Sequence, residues 1–316
     1  MSSGWNTIES DAGVFTELVD SLGVHGVEFE DLLSLDPDSI RALSPVYGVV
    51  FLFKWTAAVA AEQQRAAATN AGPLDGMYDE DAENGVFFAR QIIQNACATQ
   101  AVLSLLLNRP DVQLGGELTD FKSFVDAFDP ELRGEALSNS DSIRQTHNSF
   151  SRPTPFVDES LPSRGPRDDD DDENALYHFI AYVPVHGVLY ELDGLQPYPI
   201  AHGACTDDTF PEAVVQVLLK RIGRYPESEV HFNLLAAVRD RRELLREAGD
   251  EEGLLREEEK RAEWRRENIL RRENFVGLAF NALKGVLAQT ATDDTAFEAM
   301  LDSARIKSQQ RLLARR

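Results

Sequence analysis

Apolar residues recur at helical spacing near the N-terminus, where Val14, Phe15, Leu18, Val19 and Leu22 form one stripe that Gly23 closes. Val46 to Trp55 is instead a continuous β-branched and aromatic run, which predicts a buried strand. Ala96 to Leu107 is a compact apolar helix ending before Asn108-Arg109-Pro110, and Phe210 to Ile222 predicts another. Leu176 to Gly194 reads as two strands joined by a tight turn around Val185-His186-Gly187. His231 to Val238 is the last strand-like run. Two stretches, 57–83 and 149–174, lack either period; the second holds four prolines and the acidic run Asp168–Glu173. A structureless stretch that long inside a domain is uncommon and is usually functional or disordered.

Beyond Val238 the pattern changes to Arg, Glu, Leu and Ala, which predicts a helical extension over 239–316. Glu257 to Arg272 reads as a long solvated helix, with a disordered charged tail as the alternative. Phe275, Leu278, Ala279, Ala282, Leu283, Val286 and Leu287 then fall on one helical face, and Phe297, Met300, Leu301 and Ala304 on another. Such stripes must be buried on the chain's own domain or on a partner.

Charge follows the same division. The 316 residues hold 31 Lys+Arg and 54 Asp+Glu, a net of −23; residues 1–238 account for −24 and residues 239–316 for +1. So acidic a chain is a poor ligand for nucleic acid, which needs a basic footprint, and suits a basic protein partner. No apolar run reaches the ~18 residues of a membrane span. The N-terminus lacks the basic and apolar regions of a secretory signal. Two cysteines are too few for a disulfide framework and suit a reducing compartment, which makes cytoplasm and nucleus the expected location.

One of those cysteines, Cys97, opens the apolar helix, where backbone N–H groups and the helix dipole favour a thiolate. Gln91 lies close enough for its side-chain amide to join the Cys97 N–H as a second oxyanion donor. Taken alone, Cys97 reads rather as a buried helix cysteine. In the hairpin, a turn centred near His186 sets His178 opposite Asp193 or Gly194. The bland reading is a half-buried cross-strand pair. With Cys97 and Gln91 upstream, the better reading is nucleophile, base and orienting acid: Cys97, His178 and Asp193.

These residues carry a family resemblance. Gln91-x5-Cys97 within Asn-Ala-Cys-Ala-Thr-Gln, His178-Phe-Ile-Ala and Tyr190-Glu-Leu-Asp-Gly194 resemble the ubiquitin C-terminal hydrolases. Trp5 to Asp11, Ile143 to Asn148, Pro199 to Gly203 and Phe232-Asn-Leu extend the match over residues 5–235. Departures are Ala12, where members often have Pro, and Ala201, where many have Asn. The resemblance implies an α+β, papain-like cysteine hydrolase with a central antiparallel sheet between helices and no cofactor. It implies cleavage after the C-terminal glycine of ubiquitin, with Gln91 at the oxyanion hole, Cys97 as nucleophile, His178 as base and Asp193 as its orienter. It makes 1–238 the catalytic domain and 149–174 the crossover loop. It places Asn6, Thr7, Ile8, Glu9, Ser10, Asp11 and His147 at the substrate. It likens 239–316 to the proteasome-associated subgroup, whose helices, here about 273–314, dock on a ubiquitin receptor of the regulatory particle. Ubiquitin presents basic residues around its tail, which suits the acidic 1–238.

From the residues alone His147 reads rather as a plain helix-end histidine; His25, His186, His202 and His231 read as structural or solvated, and six dispersed histidines predict no metal site. Asp168–Glu173 lacks the spacing of a calcium loop. Cys205, with no paired histidine, reads as a bystander. Two other functions stand beside hydrolysis of ubiquitin: a scaffold acting mainly through its helical tail, and a thiol hydrolase of another substrate.

Overall fold

A computed structural model describes residues 4–55, 72–81, 85–93, 95–151, 177–225 and 231–290, with short helical pieces at 298–299, 302–303 and 305–307. The crossover loop beyond Ser151, the stretch 56–71 and the stripe residues Phe297, Met300, Leu301 and Ala304 lie outside the described residues.

Seven antiparallel strands form one sheet. They are β1 (Val27–Asp31), β2 (Val46–Lys54), β3 (Met77–Tyr78), β4 (Tyr177–Val185), β5 (Val188–Leu192), β6 (Ile200–Ala204) and β7 (Asn233–Arg239), in the order β1-β7-β2-β4-β5-β6-β3. β2 is central and buried on both faces, as its unbroken apolar run requires. Side chains alternate across β4. Phe179, Ala181 and Val183 enter one core with Phe15 and Leu18 of α1 (Ala12–Ser21) and Val102 and Leu106 of α3 (Cys97–Leu106). Ile180 and Tyr182 enter the other, with Ile40 of α2 (Pro37–Arg41) and Val214 and Leu218 of α7 (Phe210–Ile222). The fold is α+β, a sheet between two helical layers. Three further helices, α4 (Gly115–Val125), α5 (Pro130–Asn139) and α6 (Asp141–Asn148), follow α3.

The predicted hairpin is present, with a two-residue turn at His186 (φ 50°) and Gly187 (φ 82°). Positive φ at both positions matches the right-handed strand twist. The register differs from the sequence expectation by one or two residues. The ladder ends at Ala181↔Leu192, so its continuation sets His178 against Leu195, with Asp193 diagonal to it.

The extension does not begin at a structural boundary. Helix α8 (Arg241–Ala248) leads into α9 (Glu251–Arg272), and the compact unit runs through Arg272. The helix expected to be solvated over 257–272 lays one face on α1. Trp264 joins the first core and stands where a Cβ on Gly13 would be, 2.6 Å from its Cγ. Asn268 donates to the Gly13 carbonyl at 3.1 Å, and Arg271 pairs with Asp11 at 2.9 Å. Farther up, Glu28, Glu30 and Glu257 crowd together, and the Lys260 ammonium lies 2.6 Å from Glu30 and 2.5 Å from Glu257. Part of the charge that made this helix look solvated, on Lys260, Arg271 and Arg272, is paired with the acidic face of the domain.

From Glu273 a second unit begins, containing α10 (Val276–Thr290). Its apolar side chains are open to solvent: Leu278 is 66% exposed and Leu283 55%. Among the described residues no helix is long and apolar enough to cross a membrane.

Candidate active site

The cysteine helix starts abruptly. Asn95 has φ 70°, a left-handed conformation that Asn tolerates better than most residues, and its side chain donates to the Trp5 carbonyl at 3.2 Å. Ala96 occupies the N-cap position without a side-chain hydrogen bond. The first N–H groups of α3 are thus not consumed by a capping side chain, and Cys97, half-buried, is the first helical residue.

The second turn of the site is fixed from below. Thr99 Oγ1 and His147 Nδ1 are 2.7 Å apart, and His147 Nε2 is 2.6 Å from the Asn6 carbonyl. That carbonyl only accepts, so Nε2 carries the proton and Nδ1 accepts from the threonine hydroxyl. Burial pushes His147 down to about 4, against the opposing pull of the Asn6 carbonyl, so it is neutral at physiological pH. His147 therefore ties α6 and the N-terminal segment to the cysteine helix. Within that segment Trp5 and Ile8 are buried, Asn6 and Thr7 exposed, and Glu9, Ser10 and Asp11 half-buried.

His178, second in β4, is 3% exposed, and its Nε2 lies 2.6 Å from Asp193 Oδ1. Burial alone would lower the imidazole. The Asp193 carboxylate and a hydrogen bond with Cys97 reverse this, and His178 is raised to about 9. With Nε2 engaged by Asp193, Nδ1 is the nitrogen left for the thiol. Asp193 is fully buried, which favours its neutral form. His178, Arg221 and the Leu195 N–H, 3.0 Å away, outweigh burial and hold it below its ordinary value. A carboxylate, an imidazolium-prone histidine and a thiol at a helix N-terminus are thus joined in one line.

Gln91 is brought to the same place by Gly194. The Gln91 N–H donates to the Gly194 carbonyl at 2.7 Å, and a Cβ on Gly194 would stand 2.9 Å from Gln91 Cβ. One N–H of the Gln91 amide bonds the Ile93 carbonyl at 3.2 Å; the group has a second to offer. Cys205 sits in the other core, where burial pushes its thiol up.

Matches to known proteins are extensive. The family model for ubiquitin carboxyl-terminal hydrolase, family 1, matches residues 5–223, and a second model, for ubiquitin carboxyl-terminal hydrolases, matches residues 251–289. The chain belongs to the ubiquitin carboxyl-terminal hydrolase family. It is a cysteine-type deubiquitinating enzyme. Ubiquitin carboxyl-terminal hydrolase 2 of Schizosaccharomyces pombe is 46% identical over 310 residues, covering 96% of this chain and 97% of that one. Isozyme L5 of Dictyostelium discoideum is 37% identical, covering 90% and 92%. Among solved structures, the Trichinella spiralis UCH37 catalytic domain bound to ubiquitin vinyl methyl ester is 37% identical with a TM-score of 0.59, over 75% of this chain and 96% of that one. UCH37 of the same organism, bound to the same ester, is 33% identical with a TM-score of 0.61, over 85% and 99%.

Sequence reasoning missed the layer behind the hydrolase's His178 and Asp193. Glu191, Arg221, Tyr182 and His202 bond to one another there. The one available signal was a Glu two residues before Asp193, on the same face of an otherwise apolar strand.

Proposed function

We propose that this hydrolase cleaves the bond after the C-terminal glycine of ubiquitin through Cys97, His178, Asp193 and Gln91. The observation that carries this reading is the buried His178–Asp193 pair, bonded through the imidazole to the thiol at the open end of α3. In this mechanism the Cys97 thiolate attacks the glycine carbonyl carbon. The Cys97 N–H and the Gln91 amide receive the oxyanion. His178 gives its proton to the departing amine, leaving a thioester. Water then attacks the thioester, losing its proton to His178, and the thiolate returns. Asp193 holds the ring in the tautomer that both steps need. Support for ubiquitin as substrate comes from the two ubiquitin-ester complexes among the relatives. The part of 5–11 that stays open to solvent, Asn6 and Thr7, belongs in this reading to the substrate surface.

The exposed apolar face of α10 supports docking on a ubiquitin receptor of the proteasome regulatory particle, in cytoplasm and nucleus, so that the enzyme acts on conjugates during protein turnover. A ubiquitin probe with a thiol-reactive C-terminus tests the site. It should label Cys97, fail in Cys97→Ala, and still label Cys205→Ala; modification of Cys205 instead would overturn the assignment.

A further inference from the structure

Behind His178 and Asp193 stands a second carboxylate. Glu191 and Asp193, two residues apart along the same chain, are 4% and 0% exposed, and Asp193 weighs on the charge of Glu191. Burial and a like-charged neighbour both disfavour a buried anion. Both are nevertheless held below their ordinary values. For Glu191 burial is outweighed by Arg221 and His202, and for Asp193 by His178 and Arg221. The cation common to both is Arg221. Its Nη1 donates to Glu191 Oε1, and its guanidinium lies over the Phe53 ring at 4.7 Å from the centroid. Phe53 is the β2 partner of His178, and the two rings meet edge to face, 5.7 Å apart at 87°. One side chain on α7 thus touches the catalytic pair by two routes, through charge to Asp193 and through an aromatic ring to His178.

We propose that Arg221 is a positioning residue for hydrolysis, clamping the Glu191 carboxylate behind Asp193 and holding His178 in line with Cys97 through Phe53. The proposal rests on the Cys97–His178–Asp193 reading. The remaining polar groups around the carboxylates cannot replace a permanent cation. Tyr182 donates to Glu191 at 3.0 Å, and the Tyr225 hydroxyl bonds Arg221; burial raises both phenols, which are neutral. Tyr78 faces Asp193 indirectly, its hydroxyl donating at 2.8 Å to Gln196, whose own amide lies 3.4 Å from Asp193 Oδ2. His202 Nε2 lies 3.0 Å from Glu191 Oε2, the oxygen that also accepts from Tyr182, whereas Arg221 donates to Oε1.

The test is kcat/KM for a small fluorogenic ubiquitin amide, measured across about pH 5 to 10. Arg221→Met should lose roughly tenfold or more at neutral pH, with its acid limb moved up by about half a unit or more, because the carboxylate pair now takes a proton. Arg221→Lys should keep the acid limb in place. Adding Glu191→Gln to Arg221→Met should bring the limb back, since one carboxylate needs no shared cation. A profile for Arg221→Met parallel to that of the native enzyme overturns the proposal, as does failure of Glu191→Gln to restore it. Should Arg221→Met not fold by circular dichroism, Glu191→Gln alone decides: its acid limb should move to lower pH, and an unmoved limb counts against the inference. Asp193→Asn separates the two levels. Full activity in that variant removes the triad reading itself, whereas an impaired Asp193→Asn beside an unshifted Arg221→Met removes only the role of Arg221.

Discussion

In the proposed mechanism His178 sets the alkaline edge of the enzyme's working range. Its imidazole is raised to about 9 in the folded protein from an ordinary value of 6.5, so the proton needed by the leaving group is retained well above neutrality. Activity should therefore fall on the alkaline side with a midpoint near 9, read from kcat/KM against pH. Asp193→Asn should bring that midpoint down towards 6.5, because the raising charge is gone. Its turnover should drop by ~10²–10⁴, less than for His178→Ala, which deletes the base. The same linkage bears on stability. A group raised on folding stabilises fully below its unfolded value, so the His178 contribution is present in full below about 6.5 and lost as pH rises through about 9, whereas that of Asp193, lowered on folding, is present above its ordinary value and lost as pH falls below it. Residue types and order were enough to name Cys97, His178, Asp193 and Gln91 as candidates, which the fold brings together, because thiol, imidazole and carboxylate announce their chemistry. Arg221 was illegible for the opposite reason. It lies in a helix whose last turn ordinarily carries Lys or Arg, as Lys220 does, and nothing in the sequence says that its side chain turns inward beneath β5.

Among the elements, the end of β5 matters most to the site. Gly194 passes so close to the cysteine helix and the segment before it that a Cβ there would meet Gln100 Nε2 at 2.4 Å and Gln91 Cβ at 2.9 Å. The Gln100 amide is the end of a side chain and can give, but Gln91 Cβ cannot yield without moving the segment that bears the proposed oxyanion donor. Gly194→Ala should then cut kcat by roughly tenfold or more with little change in KM, since the displaced group acts in the transition state. A melting curve close to that of the native protein would show that the loss lies in the site rather than the fold. Periodicity located α1, β2, α3 and α7 within a residue or two, because each has a strong one-sided or fully apolar pattern. Register was the weaker inference. A turn centred on His186 leaves a choice of pairing that only the backbone at His186 and Gly187 resolves, and Asp193 reaches His178 diagonally as a result.

At the scale of the whole molecule, the break in composition at 238 is not the break in structure. Charge marked residues 239–272 as foreign to the acidic domain, whereas α9 is attached because its charges are complementary, through Arg271 to Asp11 and Arg272 to Glu17. A chain ending at Arg272 should melt like the full-length enzyme and hydrolyse a small ubiquitin amide at the same rate. One ending at Val238 should be strongly destabilised, because it uncovers α1. Trp264→Ala, which removes one half-buried ring from that contact, should cost roughly 2 kcal/mol, below the core range. The paired change Leu283→Asp and Leu287→Asp should leave the melting temperature in place and abolish co-purification with the proteasomal receptor; unchanged capture would count against docking through α10.

The position of β2 has a consequence for how the enzyme comes into being. Its two neighbours in the sheet are β4 and β7, which follow it by more than a hundred residues along the chain. A ribosome delivers residues in order, at ~5–20 per second. The thiol of Cys97 is synthesised well before its base, and the strand carrying that base has no completed sheet to settle on until β7 arrives. Long-range pairing of this kind is slow and is made late. On this order the growing chain carries Cys97 without the partners it has in the folded protein, and the catalytic domain is completed only after β7, and then α9, have left the exit tunnel.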